Sequence, residues 1–323
     1  MGEESYVVAM SATSAAPVPG AGLRGLARRH PIALYLSIVF GLGYPLMLVP
    51  VLADRGVVPG ASWPAAVGLD LEKAAALLMV LLALFPAALI VSGLEGGRPA
   101  VAALLRRLVT WRVGVGWWAL VVLALPAATI GIAALLGDTV RAPTLPMLGK
   151  ELSGIAFGLL LVNLWEEASW AGFLQTRLER RYSLYTAAAL TAVPFAAIHL
   201  PLQLLNGTPS AGALAAHFLL LSVLGILIRS YLGLVMRGAR DSLLAVGLAH
   251  TMFNRSINNE GIAATLLEGG NRSTAALLAT LLVTVALGII ARSRSGTTER
   301  LRLDAITSAS GRRSDGAHRS HSD

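Results

Sequence analysis

Eight long apolar runs constrain the fold of this chain more than any other feature. They lie near residues 32–52, 75–93, 115–136, 152–174, 184–203, 211–232, 242–260 and 273–291. Most of them approach or exceed the roughly 20 residues that an α-helix needs to cross a hydrocarbon core of about 30 Å. The runs are continuous and rich in Leu and Ala, so they predict helices and not the alternating strands of a membrane barrel. The expected fold is therefore all-α: a polytopic transmembrane helix bundle of about eight spans.

The composition supports a membrane protein. Of 323 residues, 55% are hydrophobic and 14% are charged, and the mean hydropathy is +0.68. The chain has no cysteine, which excludes disulfides, thiolate nucleophiles and cysteine-based metal sites. The weakest predicted span is 242–260, because polar residues crowd its outer half. A short or broken helix that lines a wet cavity is the alternative there.

The basic residues predict the orientation of the helices. Most of the 26 Lys and Arg residues fall in every second connection if both termini are cytoplasmic, as the positive-inside rule requires. The net charge of +8 therefore orients helices and faces anionic lipid, and does not indicate a nucleic-acid partner. We expect a multi-pass protein of the plasma (cytoplasmic) membrane.

The ends of the chain differ in composition from the apolar middle. Residues 1–30 are rich in Ala, Ser, Gly and Pro, and we expect a disordered segment before an uncleaved first helix. The polar residues 293–323 predict a disordered cytoplasmic tail. Between them we divide the chain into the first three transmembrane helices, 31–149, and a core, 150–292.

Two adjacent carboxylates, Glu166 and Glu167, lie in the middle of the apolar run 152–174. A charge at this depth costs roughly 2.5–3.5 kcal/mol on insertion scales, so an ionisable residue in a span indicates a functional site. Neighbours on a helix point about 100° apart, and we therefore expect different roles for the two. The alternative is a purely structural pair, satisfied by the backbone or by Asn163.

Two later runs contain histidines. His199 lies in VPFAAIHLP, and His250 comes four residues before Asn254 in LAHTMFN, a spacing that puts both side chains on one helical face. From the rise per residue, Glu166, His199, His250 and Asn254 lie within about 10 Å of a common depth. We therefore expect them to meet, whereas His217 has no partner pattern and is expected to be a packing residue.

The order of these motifs resembles the CPBP family of intramembrane proteases, also called the CAAX-protease and bacteriocin-processing or Abi family. The matching strings are EEASWAGFL, FAAIH and HTMFN, within roughly residues 150–257. The resemblance implies peptide hydrolysis within the membrane by five catalytic residues: Glu166, Glu167, His199, His250 and Asn254. By analogy, Glu166 would act with His199 as the general base on a water molecule, and His250 and Asn254 would bind the oxyanion.

One residue departs from the family pattern. That pattern is EExxxR, in which the Arg can pair with the second Glu along the helix, but this chain has Ala171 at the Arg position. Glu167 is then neutral, or it is bound by another cation, or the protein is inactive. Our candidate for the other cation is Arg255, whose loss would then be as damaging as the loss of Glu166.

Alternatives remain open for the chemistry and for the class of function. Glu166, His199 and His250 could bind zinc with water in the fourth place, although there is no HExxH string; no other cofactor is indicated. The rival functions are a transporter in which these residues relay protons or bind a cation, and an inactive relative that binds a partner. If the protein is a protease, the expected substrate is a membrane-associated protein or peptide. Prenylated C-terminal tetrapeptides are the substrates of some family members.

Overall fold

The computed structural model describes residues 22–59, 68–205 and 207–293. These ranges are helical almost throughout, and seven of their helices are long and apolar enough to cross a membrane. The predicted all-α polytopic helix bundle is confirmed.

The helices within the described ranges are numbered in chain order. Their bounds are α1 Leu23–Arg29, α2 Pro31–Asp54, α3 Leu71–Leu108, α4 Val115–Leu135, α5 Leu145–Leu178, α6 Leu184–Ile198, α7 Ala211–Gly238, α8 Leu243–Ile257, α9 Ile262–Leu266 and α10 Arg272–Ser293. A 3₁₀ turn, Leu200–Leu204, continues α6. Two short strands, β1 (Thr139–Val140) and β2 (Leu267–Glu268), pair in antiparallel fashion.

The predicted span 242–260 is the short helix α8. Its 15 residues extend about 22 Å, and it is not among the seven helices of spanning length. Ala245, Val246 and Ala249 on α8 are fully buried, so this helix lies inside the bundle and not against lipid. The short-helix alternative is therefore correct for this segment.

The chain nevertheless crosses the bundle between residues 243 and 268. At the start of α8, Ser242 Oγ donates to the Thr110 carbonyl, 2.5 Å away, in the connection between α3 and α4. Beyond α9, β2 pairs with β1, which lies between α4 and α5 at the opposite end of α4. Seven spanning helices and α8 with α9 thus make eight crossings.

One end of the bundle, which we call the basic end, holds ion pairs between different helices and their connections. They are Arg107–Asp241, Arg177–Glu95 and Arg237–Glu179. The first described helix reaches this end, because Arg28 Nε donates to the Glu95 carbonyl at 3.4 Å. The last described helix returns there, because Gly288 of α10 lies against the Tyr185 hydroxyl near the start of α6. This arrangement fits termini on one side, and their cytoplasmic location stays a prediction.

The two segments expected to be disordered lie largely outside the described residues, which omit 1–21 and 294–323. The last part of the N-terminal segment is instead the helix Leu23–Arg29. Ala27 on this helix is fully buried in the main hydrophobic core. This helix therefore packs against the bundle, and burial of its apolar side contributes to its order.

Helix α5 is wound unevenly around the glutamate pair. Two π-helical turns, Gly158–Asn163 and Trp170–Gln175, flank the α-helical stretch Leu164–Ser169 that carries both carboxylates. Such turns shift the register of the side chains that follow and often occur at functional sites. Tyr35 of α2 packs against the second turn, with its ring stacked on Phe173 at a centroid distance of 4.6 Å.

Candidate active site

Close packing between α5 and α8 brings the glutamate pair to a histidine. A Cβ atom added at Gly247 would lie 3.1 Å from the Leu164 Cα atom, so the two backbones approach almost directly. One turn after Gly247, His250 Nδ1 lies 2.7 Å from Glu167 Oε1 and 3.9 Å from Glu166 Oε2. The structure thus brings together Glu166, Glu167 and His250 from separate predicted spans.

Glu167 is bound by an arginine of α7. Arg229 donates from Nη1 to Glu167 Oε2 at 2.9 Å and from Nη2 to Oε1 at 2.5 Å, and both side chains are fully buried. A bidentate, charge-assisted pair of this kind fixes the carboxylate in one plane. Glu167 therefore has a cationic partner although residue 171 is Ala.

The proposed partner Arg255 was the wrong choice. Its guanidinium binds the Glu151 carboxylate at the start of α5, with Nε 3.0 Å from Oε1, and the Glu260 carbonyl at 2.6 Å. Arg255 follows His250 by five residues and so points about 140° away around the helix axis. Gly154 leaves room for this position, since a Cβ atom there would be 2.7 Å from Arg255 Cζ.

The sequence contains a signal for Arg229, which lies inside the predicted span 211–232. Helix α7 continues to Gly238, and the residues after Arg229 are mainly apolar. Arg229 therefore lies about 13 Å from the end of its helix, where an ionisable residue indicates a functional site.

Glu166 differs from its neighbour because it has no such partner. It is 7% exposed, and no hydrogen bond reaches its carboxylate from any residue in the described ranges. The nearest titratable nitrogen is His250 Nδ1, at 3.9 Å. One carboxylate of the pair is thus fixed and neutralised, and the other can accept a proton or bind water.

His199 lies at the edge of this cluster. It follows the last residue of α6, where its Nδ1–H donates to the Phe195 carbonyl at 2.7 Å. Among the described residues, no carboxylate is within ion-pair distance of the His199 ring, so the expected direct contact with Glu166 is not seen. Phe195 connects the two regions, because its ring lies 4.9 Å from the His199 ring and 5.0 Å from the Arg229 guanidinium carbon.

Asn254 lies on α8 one turn beyond His250, as the spacing predicts. Its Nδ2 donates to Asn163 Oδ1 at 3.4 Å, and Asn163 Nδ2 donates to Thr251 Oγ at 2.9 Å. Asn163 is the last residue of the first π turn, and these hydrogen bonds connect α5 to α8. The alternative, in which Asn163 binds the carboxylates of Glu166 and Glu167, is not seen. The amide of Asn254 is half-buried and keeps one N–H available.

Zinc binding by Glu166, His199 and His250 stays a prediction. Within the described ranges, no group of three or more His, Asp or Glu residues is arranged to hold a metal ion. Glu166 Oε2 lies 3.9 Å from His250 Nδ1, and His199 Nδ1–H donates to the Phe195 carbonyl.

The interior of the bundle therefore combines three chemical functions. An unbonded carboxylate can act as a base, an imidazole is oriented by a second carboxylate, and a side-chain amide can donate a hydrogen bond. Charge-stabilising groups act more strongly in a site with little water than in bulk solvent.

The comparisons with known proteins agree with this chemistry. Residues 148–256 match a family model described as type II CAAX prenyl endopeptidase Rce1-like. The matched segment contains every residue of the cluster, from Asn163 to Asn254. The search of curated proteins found no match to this chain.

Proposed function

Because residues 148–256 form a type II CAAX prenyl endopeptidase Rce1-like domain, we propose that this integral membrane protein is an intramembrane endopeptidase with Glu166 as its general base. The observation that carries the proposal is the asymmetry of the glutamate pair. Glu167 is bound by Arg229 and orients His250, while Glu166 is left without a hydrogen-bond donor in the described residues.

Attack begins with a water molecule beside Glu166. The Glu166 carboxylate takes one proton as the water oxygen bonds to the carbonyl carbon of the scissile peptide. General-base assistance of this kind contributes about 10²–10⁴-fold to rate. His199 assists from the other side, because its Nδ1–H is used by Phe195 and its Nε2 lone pair can accept the second water hydrogen.

Asn254 and His250 stabilise the oxyanion that this attack creates. Asn254 donates its free N–H. His250 donates from Nε2 when its ring is an imidazolium, because its Nδ1–H is used by Glu167. The protonated Glu166 then gives its proton to the leaving amine, the C–N bond breaks, and the products are an amine and a carboxylic acid that keeps the second water hydrogen until it ionises.

The position of the cluster indicates the class of substrate. The residues of the cluster lie on α5 to α8, in the interior of the bundle. The ion pairs of the basic end lie on one side of them, and the β1–β2 ribbon lies on the other. A substrate that reaches them is a membrane-associated protein or peptide, prenylated peptides included. We propose that the basic end faces the cytoplasm, in the plasma membrane.

Cleavage of a peptide panel tests the proposal. Purified protein is incubated with membrane-tethered and prenylated peptides, and wild type is compared with Glu166→Gln and His199→Ala. We expect wild type to cleave at least one peptide, with at least a 10²-fold loss in Glu166→Gln. In the direct glutamate mechanism that we propose, no metal takes part, so a chelator should leave the wild-type rate unchanged.

Two results would contradict this proposal. Folded wild type that cleaves no peptide in the panel would remove the protease assignment. Wild-type rates in Glu166→Gln would remove Glu166 as the base, and loss of activity with the chelator would replace the direct glutamate mechanism by a metal-dependent one.

A further inference from the structure

We propose that Arg229 is the positioning residue of this active site and takes over, from a different helix, the role of the arginine that is absent at Ala171. The inference rests on the proposed function, because it assigns a role in the same reaction. Arg229 touches neither Glu166 nor the place of the attacking water. It acts through Glu167 on His250, and through Phe195 on His199.

Arg229 and His250 bind the same oxygen atom of Glu167. Glu167 Oε1 accepts a hydrogen bond from Arg229 Nη2 at 2.5 Å and one from His250 Nδ1 at 2.7 Å. The second oxygen, Oε2, is held by Arg229 Nη1 at 2.9 Å. Because the guanidinium fork fixes both oxygens, the position of Oε1, and with it the orientation of the His250 ring, depends on Arg229.

Arg229 also balances the charge of the glutamate pair. Two adjacent carboxylates in a bundle interior repel each other. Among the described residues, Arg229 is the one Lys or Arg side chain that pairs with either glutamate. By neutralising the charge of Glu167, it reduces the repulsion between the two carboxylates.

Arg229 also contacts α6. The Arg229 guanidinium carbon lies 5.0 Å from the centre of the Phe195 ring, within the range of a cation–π contact. The Phe195 carbonyl accepts the Nδ1–H of His199. Arg229 therefore contacts Glu167, which binds His250, and Phe195, which binds His199.

Two glycines of α7 flank Arg229 and determine how closely this helix packs. Gly225 and Gly233 lie four residues on either side of Arg229, on the same helical face. A Cβ atom at Gly225 would be 3.0 Å from Ala192 Cβ of α6, and one at Gly233 would be 2.5 Å from Gln175 Nε2 of α5. The two glycines let α7 approach both helices, which brings the Arg229 side chain to Glu167.

Kinetics of Arg229 variants test the inference on a peptide that wild type cleaves. We expect Arg229→Met to lower kcat about 100-fold with little change in KM, because a small misplacement of catalytic groups has an effect of this size. Arg229→Lys keeps the charge but loses the fork, and it should give an intermediate kcat. The matched control is Arg237→Met, on the same helix, which removes an arginine bound to Glu179 at the exposed basic end and should keep the wild-type kcat.

A spectroscopic readout separates positioning from a merely structural role. In ¹⁵N-histidine-labelled protein, the His250 ring signal is identified by its loss in His250→Gln. We expect Arg229→Lys, which keeps the buried charge and so the fold, to shift this signal while its melting temperature stays near that of Arg237→Lys. A wild-type kcat or an unshifted His250 signal in folded Arg229→Lys would overturn the role of Arg229. The protease assignment would survive that result, because it depends on cleavage by wild type and on Glu166.

Discussion

At the scale of single residues, the chemistry depends on the different surroundings of two identical side chains. Glu166 and Glu167 are adjacent on α5 and point about 100° apart. Glu167 meets Arg229 and His250 in a fully buried position, whereas Glu166 keeps a small exposed area. The helical geometry therefore separates a carboxylate bound by Arg229 and His250 from one that has no hydrogen-bond donor among the described residues, without any difference in residue type.

The prediction at this scale concerns Arg255. Arg255→Gln breaks the ion pair with Glu151, which is largely but not completely buried, and should destabilise the protein by about 1–3 kcal/mol. Its kcat should stay near the wild-type value, because Arg255 does not contact Glu167. Unfolding in a detergent titration and peptide cleavage on the same preparation measure both quantities. A kcat as low as that of Glu166→Gln would show that Arg255 serves the active site after all.

At the scale of elements, the site depends on how closely α8 packs against α5. Gly247 permits contact with the backbone at Leu164, directly before the glutamate pair. Asn163, at the end of the first π turn, then binds Thr251 and Asn254 on α8. His250, one turn after Gly247, and Asn254, nearly two turns after it, are thereby placed against α5. The short length of α8 is consistent with this role, because an inner helix needs contacts with its neighbours more than it needs to reach both lipid surfaces.

The prediction for this packing is the effect of a larger residue at position 247. Gly247→Val should force α8 away from α5, cost about 1–3 kcal/mol in stability, and lower kcat about 100-fold by moving His250 away from Glu167. The control is Gly131→Val on α4, where an added Cβ atom meets nothing within 4 Å. Equal kcat values for the two folded variants would contradict the importance of this contact.

At the scale of the whole molecule, eight crossings within the described ranges bring α10 back to the end of the bundle at which α1 lies. The ion pairs of the basic end join helices and connections that are far apart in sequence, for example Arg107 with Asp241. The β1–β2 ribbon joins the connections at the opposite end. The cluster of catalytic candidates lies between these two layers, where side chains from four helices can reach one another.

Much of this arrangement could be predicted from the sequence, for identifiable physical reasons. Apolar runs indicate the membrane spans directly. A charged or imidazole side chain within a span has a high free-energy cost, so such residues are easy to recognise in a sequence, and this criterion identified Glu166, Glu167, His199 and His250. The i to i+4 spacing correctly placed Asn254 on the face of His250.

The remainder depends on tertiary contacts. The partner of Glu167 comes from α7, and no local spacing connects residues 167 and 229. The position of His199 follows from a bond to a carbonyl in its own helix, and the π turns of α5 have no clear signal in the residue pattern. The short α8 was predicted only as an alternative. This helix is buried by its neighbours and so does not need the length of a lipid-facing span, and a single run of residues does not show which helices will bury it.

The central claim is that Glu166 activates water for attack on a peptide bond. The most direct test is a single turnover in H₂¹⁸O with a peptide that wild type cleaves, followed by mass spectrometry of the product with the new carboxylate. The account predicts one ¹⁸O atom in that carboxylate for wild type and no detectable product from folded Glu166→Gln. Product without ¹⁸O from wild type, or labelled product at the wild-type rate from Glu166→Gln, would contradict it.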